Sequence, residues 1–538
     1  MTSQQKKVLG ILAILATGMF LAFALPNSRG ARDVAMISIF EPDEYAQYSH
    51  PIRMLTPAKT FVATLHRFVF YQHYYYGYPF YLFSAGVLAV LKMLVGLGSV
   101  QWNMLLLRQM VSVFPMLLAI VLLVYLHTEF KSYLISIGLF LFLATLPGVV
   151  KNNLWWHPDG LTILFVVLVF FFLQRDRLRF KENFYFAAIA CGAATGTKLI
   201  GLFFFLTIPW YLFLGVREKA ISLRQGLLHA LGFVAAMFGT AVLLNPVLFF
   251  PQGRAAVWKI QTRQAEAMSF GWDVAYRKGI RGWLPVIREA YGTWPFFLAL
   301  GLALGIVLKE KSTRRLNQLI LTWSIPFLVY VILRIVIHPV HFLLPVALPL
   351  YSILGSAGMV LLSPQTLKIA PSARRIVTGI ILGGVLLQGG HNLQWDWRTY
   401  QDALYKERDN PSIQFYQNVK RSVLSVLEGE ENLTAYRDVR VYFPDDSSFS
   451  VRIKWGGLTY AYLNDHPVSL IALWQQRILD YTNRPPDPQA QNYADAKAMY
   501  DFYLDARQGE IRGYVEVYTD DFGKVFVRKD LFERYFQR

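Results

Sequence analysis

The sequence predicts a polytopic α-helical membrane protein with about 11–13 transmembrane helices, followed by a soluble α/β domain. Three observations predict it. Hydrophobic residues make up 54% of the 538-residue chain and charged residues only 16%, against about 25% in a soluble domain. The apolar residues are gathered into long runs, where an ordinary core would spread them at helical or strand spacing. After residue 390 the composition changes and Asp, Arg, Asn and Pro become frequent. Cytosolic, disordered and fibrous proteins are excluded on these grounds. The expected domains are a membrane domain, 1–390, with outer loops 26–78 and 246–294, and a soluble domain, 391–538.

Residues 8–25 follow Lys6 and Lys7 and have no A-x-A-like cleavage site after them, so they read as an uncleaved first span with a cytoplasmic N-terminus. Further apolar runs lie near 79–96, 104–126, 131–148, 160–173, 184–199, 200–215, 226–245, 295–308, 317–336, 342–361 and 374–390. The net charge of +18 is carried largely by short basic loops, Arg175–Lys181, Arg217–Arg224, Lys309–Arg315 and Lys368–Arg375. The positive-inside rule places these in the cytoplasm, and it accounts for the charge without nucleic acid. Alternation then puts Lys198, the 246–294 loop, His338 to His341 and the tail after 390 outside. The parity of the runs fails before residue 157, and the stretch 60–78 reads either as one more crossing or as an aromatic interfacial helix. In the tail, Val439–Phe443 and Tyr514–Tyr518 alternate like strands, and Ala472–Asp480 and Ala494–Leu504 read as helices. Cys191 is the single cysteine, so there is no intrachain disulfide.

Four clusters carry chemistry. Glu41-Pro42-Asp43-Glu44-Tyr45-Ala46-Gln47 places two carboxylates where Pro42 can start a helix, either as an acidic helix start or as a general base at the membrane surface. Asn153 to Gly160 brings Trp155, Trp156, His157 and Asp159 to the head of an apolar run, as an interfacial aromatic belt or as a polar site. Lys198, in Thr195-Gly196-Thr197-Lys198, is either a snorkelling lysine or a fixed cation for a phosphate. His338-Pro339-Val340-His341 follows Arg334, which lies in an apolar segment. No third and fourth ligand sits at metal-site spacing, so no metal site is assigned, and phosphate or sugar contact is the reading for these histidines. No Walker A or strand-borne GxGxxG occurs, which argues against an ATP-driven or dinucleotide mechanism.

These motifs, in this order, resemble the GT-C glycosyltransferases, polytopic enzymes that use polyprenyl-phosphate-linked sugars. Pro42–Gln47 is similar to the first-loop acidic motif. Tyr76–Leu82 is similar to the start of the second span in protein O-mannosyltransferase-like, family-39-like bacterial enzymes. His157–Leu161 resembles the second aspartate, Gly196–Leu202 the "tK-x-x-g-l" segment, and His341–Pro345 the "RYLLP" segment, with His341-Phe342 in place of Arg-Tyr. The resemblance implies inverting transfer of a sugar from a polyprenyl-phosphate donor to an acceptor hydroxyl. Asp43, Glu44 and Asp159 would be the catalytic carboxylates, and Lys198, His341, His338 and Arg334 the donor-phosphate contacts. His157 and Tyr45 would touch acceptor or sugar.

The residues demand no cofactor, although a divalent cation, Mg²⁺ or Mn²⁺, is compatible with the resemblance. The implied partners are a lipid-linked sugar donor, a lipid, glycan or protein acceptor, and membrane lipids, with no nucleic acid. The implied location is the plasma (inner) membrane, with the site and the C-terminal domain extracytoplasmic. The rival readings are a transporter or flippase for a lipid-linked or anionic substrate, a polysaccharide polymerase or ligase, and a non-catalytic scaffold.

Overall fold

The computed structural model describes residues 1–270, 277–363, 370–445, 449–488 and 493–537. The chain divides into two compact units. The first contains Met1–Ser28, Ser49–Leu97 and Trp102–Leu404, and the second contains Arg29–Tyr48, Gly98–Gln101 and Tyr405–Arg538. The last long helix, Pro371–Tyr405, runs through residue 391, so the change in composition falls inside an element and the change in packing falls at its end.

The first unit is helical and is an integral membrane body. Seven described helices are long and apolar enough to cross a bilayer, or eight with the bent pair Ile280–Ala290 and Trp294–Lys309. Counting apolar runs gives more, because several runs form elements that miss a full span. Tyr78–Leu94 and Tyr133–Ala144 are short apolar helices, and Asp159–Asp176 carries charges at both ends. Such elements suit positions inside a protein bundle, where neighbouring helices replace lipid. Leu223–Leu243 does the opposite: Leu227, Leu228, Leu231 and Phe238 are exposed, as a lipid-facing helix requires. Lys368 and Ile369 of the fourth basic loop lie outside the described residues.

Within 60–78 the helix is Phe61–Val69, nine residues. At 1.5 Å per residue it reaches about 14 Å, less than half the hydrocarbon thickness. It is no crossing and does not repair the parity. It has no buried residue, and Phe61, Val62 and Leu65 are exposed on it, which is the pattern of an interfacial helix.

The span Val100–Thr128 contains a π-helical segment, Arg108–Val113. That wider turn sets Ser112 against the start of the helix Asp159–Asp176. Ser112 Oγ accepts from His157 N at 3.1 Å. Gly160 is required at this crossing, since a Cβ there would meet the Ser112 backbone. A local distortion thereby fixes where the second aspartate begins its helix.

The second unit contains a five-stranded sheet. Its strands are β1 Leu433–Arg437, β2 Phe449–Arg452, β3 Leu470–Trp474, β4 Tyr514–Thr519 and β5 Gly523–Arg528, in the order β2-β1-β3-β5-β4. β1 is parallel to β2 and β3; β5 is antiparallel to β3 and β4. Alternation along β3 divides two cores. Leu470 and Ala472 pack with Phe415, Val419 and Val423, while Ile471 and Leu473 pack with Ile478, Phe502 and Tyr503.

Two expectations for this unit are corrected. Val439–Phe443 is not a strand. The buried Arg437 guanidinium donates to the carbonyls of Asp438, Val439 and Val441, at 3.4, 3.2 and 2.7 Å, so these acceptors are taken by a side chain and not by a ladder. Ala472–Trp474 is strand, and the helix is Gln475–Thr482. A strand buried on both faces has no alternation to betray it, and its apolar run merged with the helix that follows.

Candidate functional site

Four of the singled-out side chains meet inside the first unit: His157, Asp159, Lys198 and His341. Asp159 is the first residue of the helix Asp159–Asp176, and its side chain is fully buried. Pro158 precedes it and holds His157 out of helical geometry. Lys198 ends the helix Glu182–Thr197 in an extended conformation, φ −155° and ψ 126°. Its Nζ lies 2.6 Å from Asp159 Oδ1, and it sits 5.4 Å from the Phe342 ring centroid. His157 Nδ1 is 3.0 Å from Asp159 Oδ2. The His341 ring centroid is 4.8 Å from that of His157 and 5.0 Å from that of Trp155.

Each group is held from outside the cluster. Trp155 stacks on His157 at 4.2 Å with an interplanar angle of 4°, and Tyr76 Oη contacts His157 Nε2 at 2.8 Å. His341 belongs to the 3₁₀ turn Val340–Phe342, whose Val340 carbonyl accepts from Tyr291 Oη. The Tyr291 carbonyl in turn accepts from Tyr351 Oη at 2.9 Å. Lys198 is fixed through its backbone. Gly77 N donates to Thr197 O at 2.9 Å, and a Cβ at Gly77 would run into the Gly196 carbonyl. Asn245 completes the lock: its Nδ2 donates to Gly196 O at 3.1 Å and Ala241 O at 2.8 Å, and its Oδ1 accepts from Tyr78 N at 2.8 Å.

The cluster joins a buried carboxylate, an ammonium that is 21% exposed and two imidazoles. A buried charge pair at this depth is costly unless its geometry is good, and intramembrane ionisable groups mark functional positions by default. Lys198 leaves donor capacity free for a ligand, since an ammonium has three protons and Asp159 takes one. The arrangement can therefore bind an anion between a lysine and two imidazoles. Its three ligating types, His157, Asp159 and His341, also offer one donor atom each within 4.8 Å of one another. Sequence spacing concealed that grouping.

The other candidates have their own surroundings. His338 packs edge-on against Trp283, at 5.0 Å, and a Cβ at Gly282 would strike its ring, so it lies against the helix Ile280–Ala290. Arg334 is exposed at the end of the helix Lys311–Arg334 and makes none of the cluster's contacts. Asp43, Glu44 and Tyr45 belong to the second unit, in the helix Pro42–Met54. Asp43 is exposed and Glu44 is fully buried. Tyr45 lies 6.1 Å from Trp455, ring to ring. Arg440, in the same unit, feels the charges of Glu41 and Asp43 and donates to Ile39 O at 2.7 Å.

Sequence reasoning passed over Tyr76, Phe342 and Asn245 as site residues. The first two lay inside quoted motifs. Asn245 carried a signal of its own, a polar residue closing an apolar run just before Pro246.

No protein-family model matches the chain, and no curated relative does. Solved structures do. ArnT from Cupriavidus metallidurans bound to undecaprenyl phosphate superposes with a TM-score of 0.51 at 12% identity, over 96% of this chain and 97% of that one. The apo state of the same protein gives 0.49 at 13% identity over the same shares. The chain has an ArnT-like membrane fold, the fold type that the GT-C resemblance implies.

Proposed function

We propose that the protein is an integral-membrane inverting glycosyltransferase that moves a sugar from a polyprenyl-phosphate donor to an acceptor hydroxyl at the outer face of the membrane. The observation that carries this is the buried Asp159–Lys198 pair with His157 and His341 beside it, inside the helical membrane unit. It supports a lipid-borne anion as ligand, because the groups that would bind phosphate sit among apolar helices. The undecaprenyl phosphate bound to a neighbour of the same fold agrees in chemical class.

In this reading Lys198 and His341 receive the leaving polyprenyl phosphate, whose charge grows in the transition state. Asp159 holds Lys198 in place and limits its motion. His157, fixed by Trp155 and Tyr76, donates or accepts at the sugar or the acceptor. Asp43 is the general base for the acceptor hydroxyl, and Glu44, being buried, holds the start of its helix. His338 and Arg334 are given no part here, since His338 packs on Trp283 and Arg334 is exposed at the end of its helix. The membrane is the plasma (inner) membrane, with the sheet unit extracytoplasmic.

The test uses purified protein with a polyprenyl-phosphate sugar. Release of polyprenyl phosphate matched by glycosylated acceptor supports transfer. Movement of intact lipid-linked sugar across vesicles without release would make the protein a flippase. Release of a lipid carrier with chain-length growth of a glycan would make it a polymerase or ligase.

A further inference from the structure

The acidic first-loop segment and the sheet meet along one edge of the second unit, and all the residues concerned belong to that unit. Strands β1, β2 and β3 are parallel, so their last residues, Arg437, Arg452 and Trp474, mark a single rim. β1 has β2 on one side and β3 on the other, so the chain connections leave it in opposite directions. In open α/β sheets such a switch point, at the carboxyl ends of the strands, is where ligands lie. The segment that carries Asp43 packs here. Arg440, just after β1, donates to Ile39 O and Phe40 O, and Tyr442 Oη donates to Asp33 Oδ2 at 2.8 Å.

The rim presents one large aromatic side chain to solvent. Trp455, three residues past β2, is 54% exposed. Its loop is built, not loose. Gly456 takes φ 88°, in the left-handed region, and turns the chain sharply. Gly457 lies so close to Met499 and Tyr481 that a Cβ would strike both. Lys454 Nζ donates to Gly457 O and sits 5.1 Å from the Tyr462 ring centroid. Tyr45 is the neighbour of Trp455, with ring centroids 6.1 Å apart and 40° between the planes. An apolar ring of this size, held out by a fixed turn, is a pre-organised surface for a ligand.

The charges around the two rings are mixed. Tyr45 feels Arg437 and Asp445, and Arg440 feels Glu41 and Asp43. A polyanion would meet Asp43 and Asp445, and a polycation would meet Arg437 and Arg440. A neutral ligand with an apolar face and a hydroxyl edge suits the rings and both signs of charge. We propose that Trp455 and Tyr45 form the binding subsite for a neutral saccharide. The C–H face of a pyranose lies on the Trp455 indole, and its hydroxyls turn to Tyr45 Oη and the Asp445 carboxylate. Asp43 is two residues before Tyr45 in the helix Pro42–Met54. The subsite thereby assigns the acceptor as a glycan, and this assignment rests on the proposed transferase with Asp43 as its base; saccharide binding itself does not.

The test is saturation-transfer NMR on the full-length chain in phosphatidylcholine nanodiscs free of sugar detergent, with maltotetraose, mannotetraose and chitotetraose as neutral probes. At least one should bind. Trp455→Ala should weaken it roughly ten- to thirtyfold, and Trp455→Phe should retain part of it. Tyr45→Phe, which keeps the ring and loses the hydroxyl, should weaken it roughly three- to tenfold. Trp258→Ala, at an exposed tryptophan of the first unit, should leave it unchanged. Thermal melting checks that the variants fold. No neutral probe bound by the native chain overturns the proposal. So does binding that survives in a folded Trp455→Ala, or binding lost equally in Trp258→Ala. Binding of a sulfated tetraose alone overturns the neutral ligand. Fluorescence quenching by brominated lipid that disappears in Trp455→Ala would make the ring a membrane anchor, and overturns the subsite.

Turnover of a polyprenyl-phosphate sugar, measured separately, keeps the two readings apart. Saccharide binding through Trp455 with no release of polyprenyl phosphate overturns the transferase reading alone. Release matched by glycosylation of a lipid or protein acceptor, with no tetraose bound, overturns this subsite alone.

Discussion

Lys198 and Asp159 are 39 residues apart in sequence, and their side chains meet at 2.6 Å between Nζ and Oδ1. One residue ends a helix and the other begins one. The pair is the point at which the second aspartate motif and the lysine motif, read separately from the sequence, become a single device. It also settles what Lys198 is not. A lysine held on a fully buried carboxylate is not snorkelling toward the membrane surface.

Lys198→Ala should therefore act in two ways. In the proposed site it removes a charge-assisted contact to the donor phosphate, worth about 1.5–3 kcal/mol, and so should weaken donor binding roughly ten- to hundredfold. It also strands Asp159 as a buried charge and lowers stability by about 3–5 kcal/mol. The double variant Lys198→Ala/Asp159→Asn should recover much of the stability and none of the donor binding. Lys198→Arg should retain part of the binding, because a fork replaces a point cation imperfectly. Lipid-phosphate affinity and melting temperature on the four proteins check this. Normal affinity in Lys198→Ala would remove the lysine from the phosphate site.

Gly77→Ala tests the lock behind Lys198. The new Cβ cannot coexist with the Gly196 carbonyl, and the Gly77 N to Thr197 O bond must lengthen or break. Displacing a packed backbone in this way costs about 1–3 kcal/mol. Donor affinity should fall with Lys198 itself intact. Asn245→Ala removes the other half of the lock and should behave alike; the two effects should combine non-additively, since both hold the same loop. Additive losses in a double-variant affinity cycle would mean that the two residues act separately.

Much of the cluster was legible in the sequence, and the reason is local. His157-Pro158-Asp159 and Thr197-Lys198 are polar residues that interrupt apolar runs, and membrane burial makes such interruptions conspicuous. What joins them was not legible. The π-helical segment at Arg108–Val113 and the close approach of Gly77 to Gly196 are tertiary features with no periodic signature. Arg334, an arginine within an apolar run of the sequence, sits exposed at the end of its helix. In the sheet unit, Tyr514–Tyr518 was readable by its alternation. Leu470–Trp474 was not, because both of its faces are covered.

The sheet unit should show its own pH dependence through Asp438. Burial, the largest influence, raises its pKa above the usual carboxylate value of 3.8, against the opposing charge of Arg477 and the bonds from Trp474 N and the Tyr503 and Tyr436 hydroxyls. A carboxyl whose folded pKa lies above its unfolded one holds its proton more tightly when folded. Its contribution is thus most favourable below about pH 4 and is lost as pH rises through the folded value. Asp438→Asn, which cannot ionise, should flatten this slope. Hydrogen exchange of β1 and β3 in the full chain, followed from acid to neutral pH, is the measurement. A slope unchanged by the substitution would assign the pH dependence to other groups.

The final prediction concerns the two adjacent carboxylates, whose surroundings the structure separates. Asp43 is exposed in the first turn of the helix Pro42–Met54, while Glu44 is fully buried beside it. A base must reach a hydroxyl within about 2.6–3.2 Å, so an exposed carboxylate is the one a substrate can approach. Asp43→Asn keeps the shape and removes the basicity. It should lower single-turnover transfer at saturating donor by about 10²–10⁴-fold while donor binding persists. Glu44→Gln should act through stability instead, lowering the melting temperature and leaving most of the turnover of the folded fraction. A mechanism using Glu44 requires the helix start to rearrange and expose it, and it would show as a dead Glu44→Gln with Asp43→Asn near normal. Normal transfer by both variants would take this acidic pair out of the chemistry and leave the Asp159–Lys198 cluster to be explained by binding alone.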